Sequence, residues 1–120
     1  MNKRIFYDTI MESISKEIKK ALNEEYNINK KFVVYSKEQL RNIIEKQCEK
    51  DPTGSLNWID TSKITNMSHL FENTNYNGDI GEWDTSNVTN MSYMFYNAKE
   101  FNQPLEYWDV SNVTNMSGMF

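Results

Sequence analysis

The chain has 120 residues, a formal charge of −4 and one each of cysteine and histidine, which allows a single small domain and excludes an enzyme with separate cofactor and substrate domains. An internal disulfide is excluded, and a soft-metal centre has almost nothing to ligate it. The charge is unevenly spread: residues 1–52 hold 11 Lys/Arg against 9 Asp/Glu, and residues 53–120 hold 2 against 8, so the composition changes near residue 52.

From Phe6 the apolar residues Phe6, Ile10, Ile14, Ile18 and Leu22 recur every four positions, the spacing of an amphipathic helix. Asp8 and Glu12 interrupt the apolar run that an export signal would need after Lys3 and Arg4, so the chain reads as cytoplasmic, with no membrane span. Lys31-Phe32-Val33-Val34-Tyr35 reads as a short strand. Ser36 followed by Gln39 forms a capping box that opens a second helix from Lys37 to about Glu49, with Leu40, Ile43, Ile44 and Cys48 on one face. Asp51-Pro52 and Gly54 end it.

The second half repeats itself. Asp60-Thr61-Ser62-Lys63-Ile64-Thr65-Asn66-Met67-Ser68-His69-Leu70-Phe71 aligns with 84–95 and again with 109–120, at offsets of 24 and 25 residues. A unit of that size cannot bury its own apolar face and has to stack on its neighbours. The expected columns are Ile64, Val88 and Val113; Met67, Met91 and Met116; Leu70, Met94 and Met119; Phe71, Phe95 and Phe120; and the pairs Tyr76 with Phe101, Ile80 with Leu105, and Trp83 with Trp108. Trp58 is expected to begin the tryptophan column, although it precedes Met67 by nine positions where Trp83 precedes Met91 by eight. Met91, Met94 and Phe95, at i, i+3 and i+4, predict a short helical turn capped by Thr89 or Asn90. The stretches around Trp83-Asp84-Thr85 and Leu105–Val110 predict one short strand per coil. The domain reading is a helical N-terminal cap over 1–55 and repeats over 56–82, 83–107 and a partial 108–120.

The run Trp-Asp-x-Ser-Asn-Val-Thr-Asn-Met-Ser-x-Met-Phe, then Phe-Asn-Gln five residues on, resembles the BspA-like leucine-rich repeat proteins, whose repeats abound in Mycoplasma lipoproteins and bacterial surface proteins. The resemblance covers residues 56–120, and Ser36–Leu40 through Asp60 looks like the lead-in that precedes the first repeat in many members. It implies an α/β fold, a leucine-rich-repeat-like right-handed solenoid of about two and a half 24–25-residue coils with an N-terminal helix–strand–helix cap. It also implies a binding role, adhesion in secreted members; no lipobox cysteine stands near the start of this chain.

No convergent acid, base and nucleophile can be assembled, so the chain reads as no enzyme, with no cofactor and no metal. His69 falls in a variable, outward position, and Cys48 shares a face with core residues. The register of Asp60, Asp84 and Asp109 suits calcium on one view and repeated turn chemistry on the better one. The Asn-x-Ser/Thr triplets at Asn66, Asn87, Asn90, Asn112 and Asn115 are read as the same turn, and the methionines as core filler.

What remains is an acidic, tyrosine-bearing surface. The candidate partner-binding residues are Tyr76, Asp79, Glu82, Tyr93, Tyr96, Glu100, Glu106 and Tyr107. Aromatics beside carboxylates suit a protein partner with a basic surface, and the sign of the charge disfavours direct nucleic-acid binding. The first functional reading is a non-enzymatic protein–protein interaction module. The alternative is a small intracellular phage- or mobile-element-encoded inhibitor, anti-defence or anti-CRISPR-like, whose acidic repeat face blocks a basic nucleic-acid-binding groove. A homodimer through Met116, Met119 and Phe120 is a further expectation.

Overall fold

The computed structural model describes Lys3 and residues 30–120. The chain divides into two compact units, Met1–Lys31 and Phe32–Phe120; the helix expected over Phe6–Leu22 lies outside the described residues. The second unit begins with strand β1 (Phe32–Val33), continues through helix α1 (Lys37–Lys50) and then strand β2 (Ile59–Asp60). The two strands pair in parallel, Phe32 opposite Ile59 and Val33 opposite Asp60.

Helix α1 starts where the capping box places it. Ser36 is extended (φ −144°) and its hydroxyl accepts the Gln39 N–H, satisfying one of the helix's orphan donors. The Gln39 side chain reaches back one residue further than in the usual box and accepts the N–H of Tyr35 at 2.9 Å. Leu40 and Ile44 turn into the core, with Ile43 and Cys48 packed partly buried at its margin.

The leucine-rich-repeat-like right-handed solenoid expected from the sequence is not what forms. Among the described residues regular structure amounts to one helix and a two-stranded parallel sheet in a small compact unit. The coil of one strand and one helix is absent from the repeats, and backbone chirality explains the missing helix. His69, Tyr93 and Gly118 share one repeat position and all have φ near +60°; Asn73 and Asn97, four residues on, do the same. A left-handed residue cannot continue an α-helix. It is what a type II turn requires at its third position, and the Leu70 N–H duly bonds Met67 O, the Met94 N–H Met91 O and the Met119 N–H Met116 O. The i, i+3, i+4 spacing of Met91, Met94 and Phe95 therefore marks consecutive turns.

The expected strands at 83–85 and 105–110 are missing for a related reason. At that level the link between successive repeats is made by side chains: the buried Thr61 hydroxyl donates to Asp84 O at 2.9 Å and the Thr85 hydroxyl to Asp109 O at 3.0 Å. The backbone bridges fall elsewhere, as isolated parallel bridges joining Asn66 to Asn90 and Asn90 to Asn115. Beyond each bridge alternate N–H groups cross to the following repeat. Met67, His69, Phe71 and Asn73 donate to the carbonyls of Asn90, Ser92, Met94 and Tyr96, and Met91, Tyr93 and Phe95 to those of Asn115, Ser117 and Met119.

Equivalent side chains meet at the repeat distance. The rings of Phe71 and Phe95 stack at 5.2 Å and 4°, Phe95 and Phe120 at 5.5 Å and 6°, Trp83 and Trp108 at 6.4 Å and 1°. Ile64, Val88, Met67, Met91, Leu70, Met94 and Ile80 are buried, while Val113, Met119 and Leu105 are only partly so. Trp58 does not join the tryptophan column. Counting back from the aspartates, Ile59 is the equivalent of Trp83, and Ile59 is the buried residue; Trp58, one place out of register, is 47% exposed and meets Phe32 edge to face at 6.1 Å.

Candidate functional site

A concave part of the second unit lies where α1 crosses the first repeat. It is a cleft of about 440 Å³ lined by Lys37, Glu38, Arg41 and Asn42 from the helix and by Ser68, His69, Leu70, Glu72 and Asn73 from the turn. Its construction follows from the direction of the backbone bonds. In the first turn the N–H groups of Met67, His69, Phe71 and Asn73 point to the next repeat, while the carbonyls of His69, Leu70 and Glu72 face α1, where no preceding repeat donates to them. Arg41 supplies the donors: its guanidinium bonds the carbonyls of Leu70 at 2.6 Å, His69 at 3.1 Å and Glu72 at 3.3 Å, and its Nε holds Glu45 at 2.9 Å. A planar fork with five N–H groups can serve several acceptors at once, which an ammonium cannot. One helical turn before it, Lys37 Nζ donates to the Ser68 hydroxyl at 3.1 Å.

The left-handed turn aims His69 outward. Its ring lies parallel to that of Tyr93 at 5.2 Å and 8°, and its Nδ1 sits 2.5 Å from Glu72 Oε2. Tyr93 in turn meets Tyr96 edge to face at 5.6 Å and lies over Gly118. A Cβ at Gly118 would come within 2.5 Å of the Tyr93 ring, at a φ of +60° that His69 and Tyr93 also adopt, so it is the overlying ring that favours glycine there.

The sequence-derived partner residues distribute unevenly. Tyr93 and Tyr96 are exposed and adjacent, with Glu100 exposed in the following loop. Asp79, Glu82, Glu106 and Tyr107 are exposed on the loops that precede Trp83 and Trp108, and Tyr107 is 86% exposed. Tyr76 has to be removed from the set. It is fully buried, stacks on Phe71 at 5.2 Å, and donates its hydroxyl to Gly54 O at 2.7 Å. Burial pushes its phenol well above the usual tyrosine range. Its place in the apolar column with Phe101 already signalled this, since the ring contact of 6.4 Å leaves it no outward face. The helix side of the cleft, Lys37, Glu38, Arg41 and Asn42, was missed by sequence reasoning. The available signal was Lys37 and Arg41 at i, i+4 on a helix flanking the first repeat.

The aspartate register is turn chemistry. Asp60, Asp84 and Asp109 each accept the N–H of the serine two residues on, at 2.9, 3.0 and 3.0 Å, and the last two also accept that serine's hydroxyl at 2.6 Å. The Ser111 hydroxyl and N–H hold the Asp109 carboxyl below its ordinary range. The asparagines work the same way: Asn66, Asn90 and Asn115 each accept the N–H of the serine two residues on, and the Asn87 and Asn112 amides donate to Ser62 O and Ser86 O in the repeat before. Cys48 is partly buried, and desolvation raises its thiol. No helix among the described residues is long and apolar enough to cross a membrane.

With the cleft and the repeated turns in place, comparison with known proteins assigns the chain. Residues 38–120, which hold most of α1, β2, all the turns and nearly the whole cleft, match the family described as Mycoplasma protein of unknown function, DUF285. The chain belongs to the DUF285 family. No curated protein and no solved structure matches it. The DUF285 match begins one residue after Lys37, so Glu38, Arg41 and the turn that Arg41 serves lie within the family segment.

Proposed function

We propose that this DUF285 chain is a non-enzymatic protein-binding module of the BspA-like kind. The observation that carries this reading is the pair of exposed tyrosines, Tyr93 and Tyr96, 39% and 48% exposed, held edge to face on a backbone turn whose N–H groups are tied to the next repeat. A rigid aromatic pair offers a large contact area at little entropic cost, which is what binding hot spots use. The eight carboxylates of residues 53–120 against Lys63 and Lys99 favour a partner with a basic surface and would accelerate encounter with it.

The test is affinity capture with the full chain from bacterial lysate at low and high salt, alongside Tyr96→Ala and Tyr107→Ala. One defined partner is expected, with retention falling as salt rises and lost in Tyr96→Ala. Retention indifferent to both substitutions would refute the reading. A captured protein that itself handles nucleic acid would narrow the role to inhibition of that protein.

A further inference from the structure

We propose that the cleft between α1 and the first turn is a receptor for an arginine side chain of the partner protein; this rests on the protein-binding reading above and names the group that the cleft takes. Three observations on the lining converge. His69 presents a flat ring with one face already covered by Tyr93 at 5.2 Å, and His69 is among the residues that line the cleft, so a second planar group can continue the stack. Guanidinium is planar and stacks on aromatic faces.

The remaining capacity of the lining is mainly for accepting hydrogen bonds. Of its two cations, Arg41 is committed to three carbonyls and Glu45, while Lys37 donates to Ser68 and keeps two further N–H groups. In the tautomer that donates Nδ1–H to Glu72, His69 Nε2 is an acceptor. Glu38 has no ion-pair partner among the described residues, and Glu72 keeps a second carboxylate oxygen beyond the one beside His69. A group with several donors in one plane matches such a lining. An anion is matched less well, because it would meet the carboxylates of Glu38 and Glu72 with only Lys37 to hold it, the Arg41 guanidinium being turned to the backbone.

The cleft volume of about 440 Å³ exceeds what one side chain fills, leaving space for the backbone that carries it. The partner's arginine would therefore enter beside Tyr93 and Tyr96, making one continuous surface of the aromatic pair and the cleft.

His69 is the chain's single histidine, so its imidazole Hε1 resonance is a unique reporter. The experiment titrates the full chain with N-acetyl-argininamide and, separately, with its neutral isostere N-acetyl-citrullinamide, following that resonance, and repeats both with Glu38→Gln. The proposal expects a saturable shift with the arginine probe, an apparent affinity at least about fivefold weaker for the citrulline probe, and a loss of that preference in Glu38→Gln. No shift with the arginine probe, equal shifts with both probes, or an unchanged preference in Glu38→Gln would each overturn it. Because capture of a partner is read through Tyr96 and Tyr107, its success alongside a silent His69 would sink this inference and leave the binding role standing.

Discussion

At the residue scale, the aromatic stack decides how the thin core holds. Phe95 is 3% exposed and its ring meets Phe71, Phe101, Trp108 and Phe120. Phe95→Ala is expected to cost about 3–5 kcal/mol, the range for an aromatic removed from an interior that relaxes only in part, measured by urea unfolding. Tyr76 carries a pH dependence. Its folded phenol titrates above the ordinary tyrosine value of 10.0 because burial disfavours the charged form, while the unfolded phenol titrates near that value. The stabilisation is complete below pH 10 and declines as pH rises through and beyond it. Unfolding curves between pH 8 and pH 11 should therefore show a steeper alkaline loss for the native chain than for Tyr76→Phe. The same substitution leaves Gly54 O without its donor, at a cost of about 1–2 kcal/mol at neutral pH. Gly78 shows how tight that corner is: a Cβ there would fall 2.2 Å from both Gly54 O and the Tyr76 hydroxyl.

At the element scale, the structure turns on how each short segment satisfies its backbone. Arg41 closes the carbonyl edge of the first repeat, so Arg41→Ala is expected to cost about 1–3 kcal/mol and Arg41→Lys to recover less than half of it; thermal denaturation of the three proteins would show it. Asn97, at φ +57° with its amide 2.7 Å from Asn73 Oδ1, is expected to lose about 1–2 kcal/mol on replacement by Ala and less by Gly, since only glycine keeps the left-handed conformation without strain. Helix α1 was legible because cap, apolar face and proline stop all agreed on one local answer. The turns were not: spacing of i, i+3 and i+4 is common to a helix and to a run of turns. What separates them is the sign of φ at His69 and Tyr93, which neither residue type announces. Gly118 in the same register was the one visible hint. Trp58 shows the complementary lesson, since the aspartate alignment placed Ile59 inside while the pull of a third tryptophan suggested otherwise.

At the scale of the whole unit, the 24- and 25-residue offsets were legible as contacts, because columns of like side chains are the economical way for short units to share an interior. The element content was not legible, because the threonine hydroxyls and crossing N–H groups that join the repeats leave no strand and no helix behind them. The candidate site was half visible: the exposed tyrosines could be read from the repeat, whereas the cleft depends on a helix and a turn 28 or more residues apart meeting through Arg41. The unit therefore holds together by each repeat being tied in register to the one before it. In the clearest instance the Trp83 indole N–H donates to Leu56 O at 2.8 Å and the Trp108 indole N–H to Ile80 O at 3.0 Å, both buried, while Trp58 is exposed. Hydrogen exchange of the three indole N–H groups tests this directly. Strong protection of two, with Trp58 exchanging at the rate of a free indole, is the predicted result; free exchange at Trp83 and Trp108, or protection at Trp58, would contradict it.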